Sequence, residues 1–220
     1  MTPLFVIPLW ADLLAVGIGA TQGALFAAQF RDRRLDLLGV AIIGIATGFG
    51  GGILRDVLLA EVPAALTSNW YLVVATGAAL IGMLLERLIS RMGPLVNVLD
   101  ALTIGLFGAI GTTKALALGL PEVPAIFVGV LSAVGGSILR DLLLNRPIAL
   151  MHVGSLYAIA AFAGTTGLVI MLELSVPVFI AATICVAITA GVRVLAVLFN
   201  WSLPEQHAIT KVPRLRPKKP

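Results

Sequence analysis

The chain has 220 residues, of which 59% are hydrophobic and 12% are charged, and its mean hydropathy is +1.06. Soluble domains are about 45–50% apolar and about 25% charged, so the composition excludes a soluble globular protein and predicts an integral membrane protein. The net charge of +4 lies mostly in loops and tail, so it does not indicate nucleic-acid binding. The N-terminus lacks the basic segment of a signal peptide, so the first helix is expected to be retained.

Seven apolar segments are long enough to cross a bilayer, because a helix needs about 20 residues to span the hydrocarbon. They are predicted at residues 8–30, 36–60, 69–89, 95–118, 122–145, 151–172 and 177–199. Trp10, Trp70 and Trp201 fall near predicted span ends, where interfacial aromatic residues belong. The sequence therefore predicts an all-α polytopic membrane protein, with one membrane domain at 1–200 and a basic tail at 201–220.

The distribution of basic residues predicts the orientation of the chain. With seven spans, eleven basic residues lie on the side of the C-terminus: Arg31, Arg33, Arg34, Arg87, Arg91, Arg146, Lys211, Arg214, Arg216, Lys218 and Lys219. The loops of the other side carry only Glu61, Glu122 and Glu173. By the positive-inside rule, the C-terminus is predicted to be cytoplasmic and the N-terminus outside the cell membrane.

The first six spans form two similar halves of three spans each. Aspartate and glycine positions recur at an offset of 88 residues: Asp12 with Asp100, Gly17 with Gly105, and Gly23 with Gly111. Because each half has an odd number of spans, the halves cross the membrane in opposite directions, which predicts an inverted repeat. Repeat one is placed at 8–90 and repeat two at 95–173. The seventh span has no counterpart and is predicted to be an added packing helix.

A glycine run followed by an Arg-Asp pair occurs once in each half. The first copy is Gly48-Phe49-Gly50-Gly51-Gly52-Ile53-Leu54-Arg55-Asp56, and the second is Gly135-Gly136-Ser137-Ile138-Leu139-Arg140-Asp141. A glycine weakens a helix by roughly 1 kcal/mol, and an ionised side chain at membrane depth costs about 2.5–3.5 kcal/mol. Repetition of both costly features predicts a functional element. The alternative is that the glycines only allow close packing and the charges lie near headgroups.

The inverted repeat also predicts ion pairs at both ends of the bundle. Neighbouring residues on a helix do not face each other, so each arginine is expected to pair with an aspartate of another helix rather than with the next residue. The predicted pairs are Arg55 with Asp12 and Arg140 with Asp100, or a partner on an adjacent helix of the other half. Asp56 and Asp141 are not expected to neutralise the arginine that precedes them. The alternative for Asp12 and Asp100 is that each caps its helix or reaches the headgroups.

Two further basic residues lie within predicted spans. Lys114 matches Phe26 at the offset of 88, so it has no counterpart in the repeat. It either extends to the outer surface or lies in a cavity, where its charge acts on ions. Arg193, in the seventh span, is predicted to extend to the surface.

The three consecutive glycines at 50–52 remove the side chains that shield the backbone and make the helix easy to bend. Carbonyl groups freed by a bend are tolerated only beside protein or a water-filled cavity, where they can replace part of the hydration shell of a cation. Two such bends are predicted to face each other at mid-bilayer, with Thr47, Ser132 and Ser137 adding hydroxyl acceptors. Close packing remains the alternative there, and it is the preferred interpretation for Gly19 and Gly23.

The doubled Gly-Gly-x-Ile-Leu-Arg-Asp-x-Leu-Leu motif, the three-plus-three inverted spans and the seventh helix resemble prokaryotic members of the TRIC family of trimeric intracellular cation channels. The resemblance covers roughly residues 8–200. It implies a homotrimer with one pore per protomer, kinked second and fifth helices, and passage of K⁺ and Na⁺. It also implies pore positions for Gly50, Gly51, Gly52, Gly135, Gly136 and Ser137, although Gly-Gly-Ser departs from three glycines. Lys114 would correspond to a lysine that acts on gating or conduction.

These features predict a monovalent cation channel with no cofactor and no resident metal, whose partners are membrane lipid, permeating K⁺ or Na⁺ and further protomers. The charged residues expected to act in the pore or its gating are Arg55, Asp56, Arg140, Asp141, Lys114, Asp12 and Asp100. The alternative is a secondary transporter of a small solute, because inverted repeats with broken helices also occur in carriers. An enzyme is not expected, since His152 and His207 are the only histidines and no nucleotide or zinc motif is present.

Overall fold

A computed structural model describes residues 7–29, 35–89, 93–151, 156–199 and 201, and for 87–89 and 93–95 it describes the backbone alone. This part of the chain forms seven α-helices: α1 (Leu9–Ala28), α2 (Leu37–Leu58), α3 (Asn69–Ile89), α4 (Gly93–Ala117), α5 (Glu122–Leu143), α6 (Tyr157–Glu173) and α7 (Val178–Leu198). Single 3-10 turns follow α2 and α5, at Ala64–Leu66 and Ala149–Met151. The basic residues at 31–34, 91 and 211–219, which predict the orientation, lie outside the described residues, as do His152 and His207.

Six of these helices are long and apolar enough to cross a membrane. The exception is α6, which has 17 residues and a length of about 26 Å at 1.5 Å per residue. The predicted start of the sixth span at 151 is wrong, because residues 149–151 form a separate 3-10 turn and α6 begins at Tyr157. The other helix ends agree with the predicted spans to within two residues.

The ends of the helices follow from local chemistry. Asp36 caps α2, its carboxylate accepting a 2.7 Å hydrogen bond from the Gly39 amide, while α5 and α7 begin directly after a proline. The chain leaves α2 through Ala60 and α5 through Asn145, both in the left-handed conformation that commonly ends a helix. Ala60 and Asn145 are 85 positions apart, the same offset as the Arg-Asp pairs, so the repeat extends to the backbone of the helix ends.

The two halves pack as units and then against each other. In the first half α1 packs on α2 and α3, and in the second half α4 packs on α5 and α6. The halves meet where α2 crosses α5 and α1 contacts α4, while α7 packs on α4 and α6. Gly19 and Gly23 lie against Gly48 and Thr47 of α2, where an added Cβ would touch or overlap them. The packing interpretation of Gly19 and Gly23 is therefore confirmed.

The outer surface of the bundle is apolar, as expected for a protein surrounded by lipid. Within the described residues, large exposed hydrophobic side chains occur on all seven helices, although α4 contributes only Val98. Trp10, Trp70 and Trp201 are exposed and lie at or next to helix ends. Their positions match the predicted interfacial aromatic residues.

Candidate functional site

The two glycine runs bring α2 and α5 into direct backbone contact. A Cβ added to Gly50 would lie 2.9 Å from the Gly136 Cα, and one added to Gly135 would lie 3.2 Å from the Gly51 Cα. The separation at Gly50 is too short for a real Cβ atom and the one at Gly135 is unusually tight, so a larger residue at either position would require its neighbours to shift. We call the four residues Gly50, Gly51, Gly135 and Gly136 the glycine crossing.

The carbonyl groups at the crossing follow the symmetry of the repeat. An added Cβ on Gly51 would overlap the carbonyl oxygen of Ser132, and one on Gly136 would overlap that of Thr47. The Ser132 hydroxyl also donates to the Gly51 carbonyl of the opposite helix at 3.2 Å. The Thr47 and Ser137 hydroxyls instead donate to carbonyls of their own helices, at 2.6 and 2.8 Å. Of these three hydroxyls, Ser132 alone links α2 to α5.

The third position of each motif lies away from the crossing. A Cβ on Gly52 would have no neighbour closer than 3.9 Å, and both Gly52 and its counterpart Ser137 are partly exposed. The change from Gly-Gly-Gly to Gly-Gly-Ser therefore leaves the contact between the helices intact.

Both helices continue as α-helix through the motif, and the helices meet there in direct contact. The close-packing alternative therefore describes Gly50, Gly51, Gly135 and Gly136 in this structure. Apolar side chains flank the contact symmetrically, with Leu139 against Gly50 and Leu54 against Gly135. Separation of the helices around water remains a prediction.

Phe107 of α4 is a neighbour of the crossing that sequence analysis missed. Its ring lies 3.2 Å from where a Gly51 Cβ would be, and it is 1% exposed. One phenylalanine within an apolar helix carries no signal that separates it from other lipid-facing or core residues. Its counterpart in the repeat, Gly19, would not have indicated it either.

The first cluster comprises Asp12, Arg55, Asp56 and Lys114, with Tyr71, at the end of the bundle where α1 and α3 begin and α2 ends. Arg55 Nη1 donates to Asp12 Oδ1 at 3.2 Å, and the Tyr71 hydroxyl donates to Asp12 Oδ2 at 2.8 Å. The Arg55 side chain is 1% exposed. The predicted pair of Arg55 with Asp12 is confirmed.

The prediction that Arg55 does not pair with its neighbour Asp56 is wrong. Arg55 Nε donates to Asp56 Oδ1 at 2.6 Å, and Nη2 donates to Oδ2 at 3.1 Å. The pair stands in the last turn of α2, where the long arginine side chain can turn back along the helix to reach the adjacent carboxylate. The facing rule describes the directions in which neighbouring side chains leave the helix, and it does not limit the reach of a long side chain at a helix end. Asp56 Oδ2 also accepts a 2.7 Å bond from the Ala64 amide, which joins α2 to the following turn.

The second cluster comprises Asp100, Arg140, Asp141 and Arg193, with Tyr157, at the opposite end of the bundle. Arg140 Nη1 lies 3.7 Å from Asp100 Oδ1, which confirms the second predicted ion pair. The Tyr157 hydroxyl donates to Asp100 Oδ2, as Tyr71 does to Asp12. Gln22 of α1 also donates to Asp100 Oδ1, at 3.2 Å.

The Arg-Asp neighbours of the second cluster repeat the arrangement of the first, so the expectation of no such contact is wrong here too. Arg140 Nε donates to Asp141 Oδ1 at 3.0 Å, and the Ala149 amide donates to Asp141 Oδ2 at 2.9 Å. Phe26 covers the other side of Arg140, with its ring centroid 4.0 Å from the guanidinium carbon. Each arginine is therefore held by an aspartate from its own helix and by one from another helix.

Lys114 and Arg193 both reach these clusters. Lys114 Nζ donates to Asp56 Oδ1 at 2.8 Å with 24% of its side chain exposed, a partner that neither sequence-based alternative included. The prediction that Arg193 extends to the surface is wrong, because the residue is 8% exposed. Its guanidinium lies 3.9 Å over the Tyr157 ring and 3.8 Å from Asp100 Oδ2. The reason is that α7 turns this position toward α4 and α6 rather than toward lipid.

The free space at the two clusters differs strongly. The pocket at the first cluster, lined by Asp12, Gly52 and Phe107 among others, has a volume of about 10 Å³. The pocket at the second cluster has a volume of about 230 Å³, and the amide side chains of Gln22, Gln29 and Asn97 line it beside Asp100 and Arg140. One end of the bundle is therefore closed at the cluster, while the other has a polar pocket large enough for several waters or a small solute.

Comparison with known proteins identifies related sequences. A family model described as "Glycine transporter" matches residues 9–87 and 97–173, one segment in each half of the repeat. A UPF0126 membrane protein of Deinococcus radiodurans is 36% identical over 157 residues, covering 70% of this chain and 72% of the relative. The UPF0126 inner membrane protein YadS of Escherichia coli K12 is 31% identical over 200 residues, covering 89% of this chain and 94% of YadS.

Solved structures share the fold. The TRIC trimeric intracellular cation channel orthologue from Rhodobacter sphaeroides superposes with a TM-score of 0.80 at 27% identity, covering 88% of this chain and 98% of that one. A second structure, solved to explain conductance through TRIC cation channels, gives a TM-score of 0.79 at 30% identity, covering 91% and 98% of the two chains. The predicted all-α membrane fold and the resemblance to prokaryotic TRIC proteins are confirmed.

Proposed function

Since this chain belongs to the family that the glycine-transporter model defines, and to the TRIC family by its fold, we propose that it is a channel for monovalent cations, K⁺ and Na⁺. The observation that carries the proposal is the glycine crossing. It joins the two halves of the repeat between the two charged clusters, in a chain 30% identical to a TRIC cation channel of the same fold. The crossing is the closed gate, and ions pass when α2 and α5 separate there.

The opened crossing exposes oxygen atoms suited to a monovalent cation. The Thr47 and Ser132 carbonyls point at the opposite helix, and the Ser132 hydroxyl is released from Gly51 when the helices part. Such oxygens replace part of the hydration shell of K⁺ or Na⁺. Ser137 and Gly52, on the partly exposed side of the motifs, line the approaches to this point.

The clusters keep the two entrances from repelling cations. An uncompensated arginine would raise the electrostatic potential at a narrow entrance and lower the local concentration of cations. Asp12 and Asp56 compensate Arg55, and Asp100 and Asp141 compensate Arg140. The arginines thereby hold the helix ends together without closing the path electrostatically.

The assembly and location of the channel belong to the same proposal. The Rhodobacter sphaeroides relative is described as trimeric, and we place this chain in a homotrimer with one pore per protomer. The chain is a multi-pass membrane protein by its apolar helices. The inner membrane, with the C-terminus in the cytoplasm, is supported by the name of the Escherichia coli relative and by the basic loops and tail.

The test is electrical. Purified protein in a planar bilayer under a KCl gradient is expected to give unitary current steps that reverse near the K⁺ equilibrium potential, and replacing K⁺ by Na⁺ on one side reports the selectivity between them. Reversal near the Cl⁻ potential, or an absence of unitary steps from correctly folded protein, would contradict the proposal.

The second candidate is a carrier of glycine or a similarly small zwitterion. It is favoured by the description of the matching family model and by the amide-lined pocket beside Asp100 and Arg140, which offers partners for an ammonium and a carboxylate. Saturable uptake of labelled glycine into proteoliposomes, without unitary current in the bilayer, would establish the carrier instead.

A further inference from the structure

Within the described residues, each cluster contains two acidic and two basic side chains in direct ion-pair contact. In the first cluster the acids are Asp12 and Asp56 and the bases are Arg55 and Lys114. In the second the acids are Asp100 and Asp141 and the bases are Arg140 and Arg193. The repeat supplies three members of each set at equivalent positions, but the fourth member, a base, comes from a different helix at each end.

The fourth base differs because the repeat is broken at one position. Lys114 of α4 pairs with Asp56, whereas the equivalent residue of α1 is Phe26, whose ring stacks on Arg140 and carries no charge. The second cluster would therefore hold two aspartates against one arginine if the repeat alone formed it. Arg193 of α7, the helix outside the repeat, lies 3.8 Å from Asp100 and restores the balance.

We infer that Arg193 sets the electrostatic balance of the second entrance, so that α7 is part of the ion path and not only a packing helix. The inference rests on the proposed channel function. Arg193 would balance the charge of the aspartates at one entrance, as Lys114 does at the other.

The contacts of Arg193 are better explained by the effect of its charge than by the space that its side chain fills. Burial of a cation within a membrane helix is costly, and an apolar side chain would fill the same space without that cost. Within the described residues Arg193 Nε has no hydrogen-bond partner, and the guanidinium is held by the face of the Tyr157 ring and by the charge of Asp100. An arginine therefore occupies this position even though one of its donors, Nε, has no partner among the described residues.

Loss of the Arg193 charge would lower the net charge of the second cluster from 0 to −1, while Arg146, whose guanidinium carbon lies 5.3 Å from the Phe26 ring centroid, keeps its charge. A unit charge about 8 Å from a passing ion in water changes its energy by roughly 0.5 kcal/mol, which is about a two- to threefold change in local cation concentration. Cations would then enter more readily from that end, and the current would rectify. Loss of the Lys114 charge would act in the same way at the opposite end and produce rectification of the opposite sign.

The experiment measures the ratio of K⁺ currents at equal positive and negative voltages, in excised patches with a known orientation and symmetric KCl of low ionic strength, where screening is weak. Arg193→Gln and Lys114→Gln are expected to shift this ratio by about two- to threefold in opposite directions. Arg193→Gln combined with Asp100→Asn restores the balance and is expected to return the ratio toward that of the wild type. The control is Thr183→Ala, at an exposed position on the same helix, for which the current ratio is expected to stay at the wild-type value.

Folded Arg193→Gln channels with the wild-type ratio, or a shift of the same sign as in Lys114→Gln, would overturn the inference. If Arg193→Gln does not fold, Asp100→Asn decides, because it leaves the second cluster with a net charge of +1 and must shift the ratio the opposite way. An unchanged ratio in Asp100→Asn would also overturn it. A wild-type protein without current would contradict the proposed function itself, whereas normal wild-type current with unshifted variants contradicts only the role of Arg193.

Discussion

Glycines that look alike in the sequence have different neighbours in the structure. Gly51 lies against the Ser132 carbonyl of the opposite helix, whereas Gly77 of α3 has no atom within 4 Å of where its Cβ would be. Both are in the middle of an α-helix, so both forgo the helix propensity of alanine. The difference in surroundings makes them a matched pair for testing the crossing.

Gly51→Ala is expected to destabilise the protein, while Gly77→Ala is expected to be neutral or stabilising by up to about 1 kcal/mol. At Gly51 the added methyl group must push α2 away from α5, and forced overpacking of this kind typically costs about 1–3 kcal/mol. Thermal unfolding of the two variants in the same detergent measures the difference. Equal melting temperatures would mean that the helices do not meet at Gly51.

The ion pairs show which contacts of single residues can be predicted from the sequence and which cannot. The pairs of Arg55 with Asp12 and of Arg140 with Asp100 could be predicted, because the inverted repeat sets the depth of each charge and a buried charge needs a partner. The contacts of Arg55 with Asp56 and of Arg193 with Asp100 could not. They depend on the path of a long side chain near a helix end and on the rotation of α7, neither of which has a periodic signal.

At the level of helices, one hydrogen bond distinguishes the two serines near the second motif. Ser132 donates across the crossing to Gly51, whereas Ser137 donates to Val134 in its own helix. Separation of α2 from α5 breaks the first bond and leaves the second intact.

Ser132→Ala is therefore expected to shift the equilibrium toward separated helices, and Ser137→Ala is expected to do so less. A hydrogen bond contributes about 0.5–1.5 kcal/mol net, which corresponds to roughly a two- to tenfold rise in the ratio of open to closed channels. Single-channel open probability in planar bilayers measures both variants. An equal effect of the two substitutions would show that the bond to Gly51 does not hold the gate.

Helix positions could be predicted more closely than helix contacts. Hydrophobic length and turn residues place six of the seven helices to within two residues, because a helix in lipid must satisfy its own backbone. The start of α6 was missed, since the apolar residues Ala149–Met151 continue the hydropathy signal through a 3-10 turn. The burial of Arg193 beside Asp100 was also missed, because α7 lies outside the repeat and has no counterpart with which to compare its one arginine.

For the whole molecule, the fold could be predicted because two independent features of the sequence show the internal repeat. These are the doubled glycine and Arg-Asp motif and the matching positions of Asp12 and Asp100. Whether α2 and α5 are in contact or separated at the glycine crossing could not be predicted. Consecutive glycines permit both a bend around water and a close contact between helices, and no local sequence pattern distinguishes the two arrangements. The structure has the close contact and leaves the other arrangement as the predicted open state.

The orientation of the whole chain is a separate prediction. A fluorescent protein fused after the C-terminus is expected to fluoresce in a bacterial host, and alkaline phosphatase fused at the same place is expected to be inactive, because the positive-inside rule predicts that the basic side of the bundle faces the cytoplasm. Active phosphatase at the C-terminus would reverse the assignment of the two clusters to the two sides of the membrane.

Whether the glycine crossing is the gate can be decided from the open probability of Gly51→Ala combined with Gly136→Ala. Both added methyl groups would overlap a carbonyl of the opposite helix, so a higher open probability is expected in single-channel recordings, with assembly of the proposed trimer retained. The control is Gly77→Ala combined with Gly191→Ala, two helical positions with open space around them, for which no change is predicted. Identical open probabilities in the two double variants would show that the glycine crossing is not the gate.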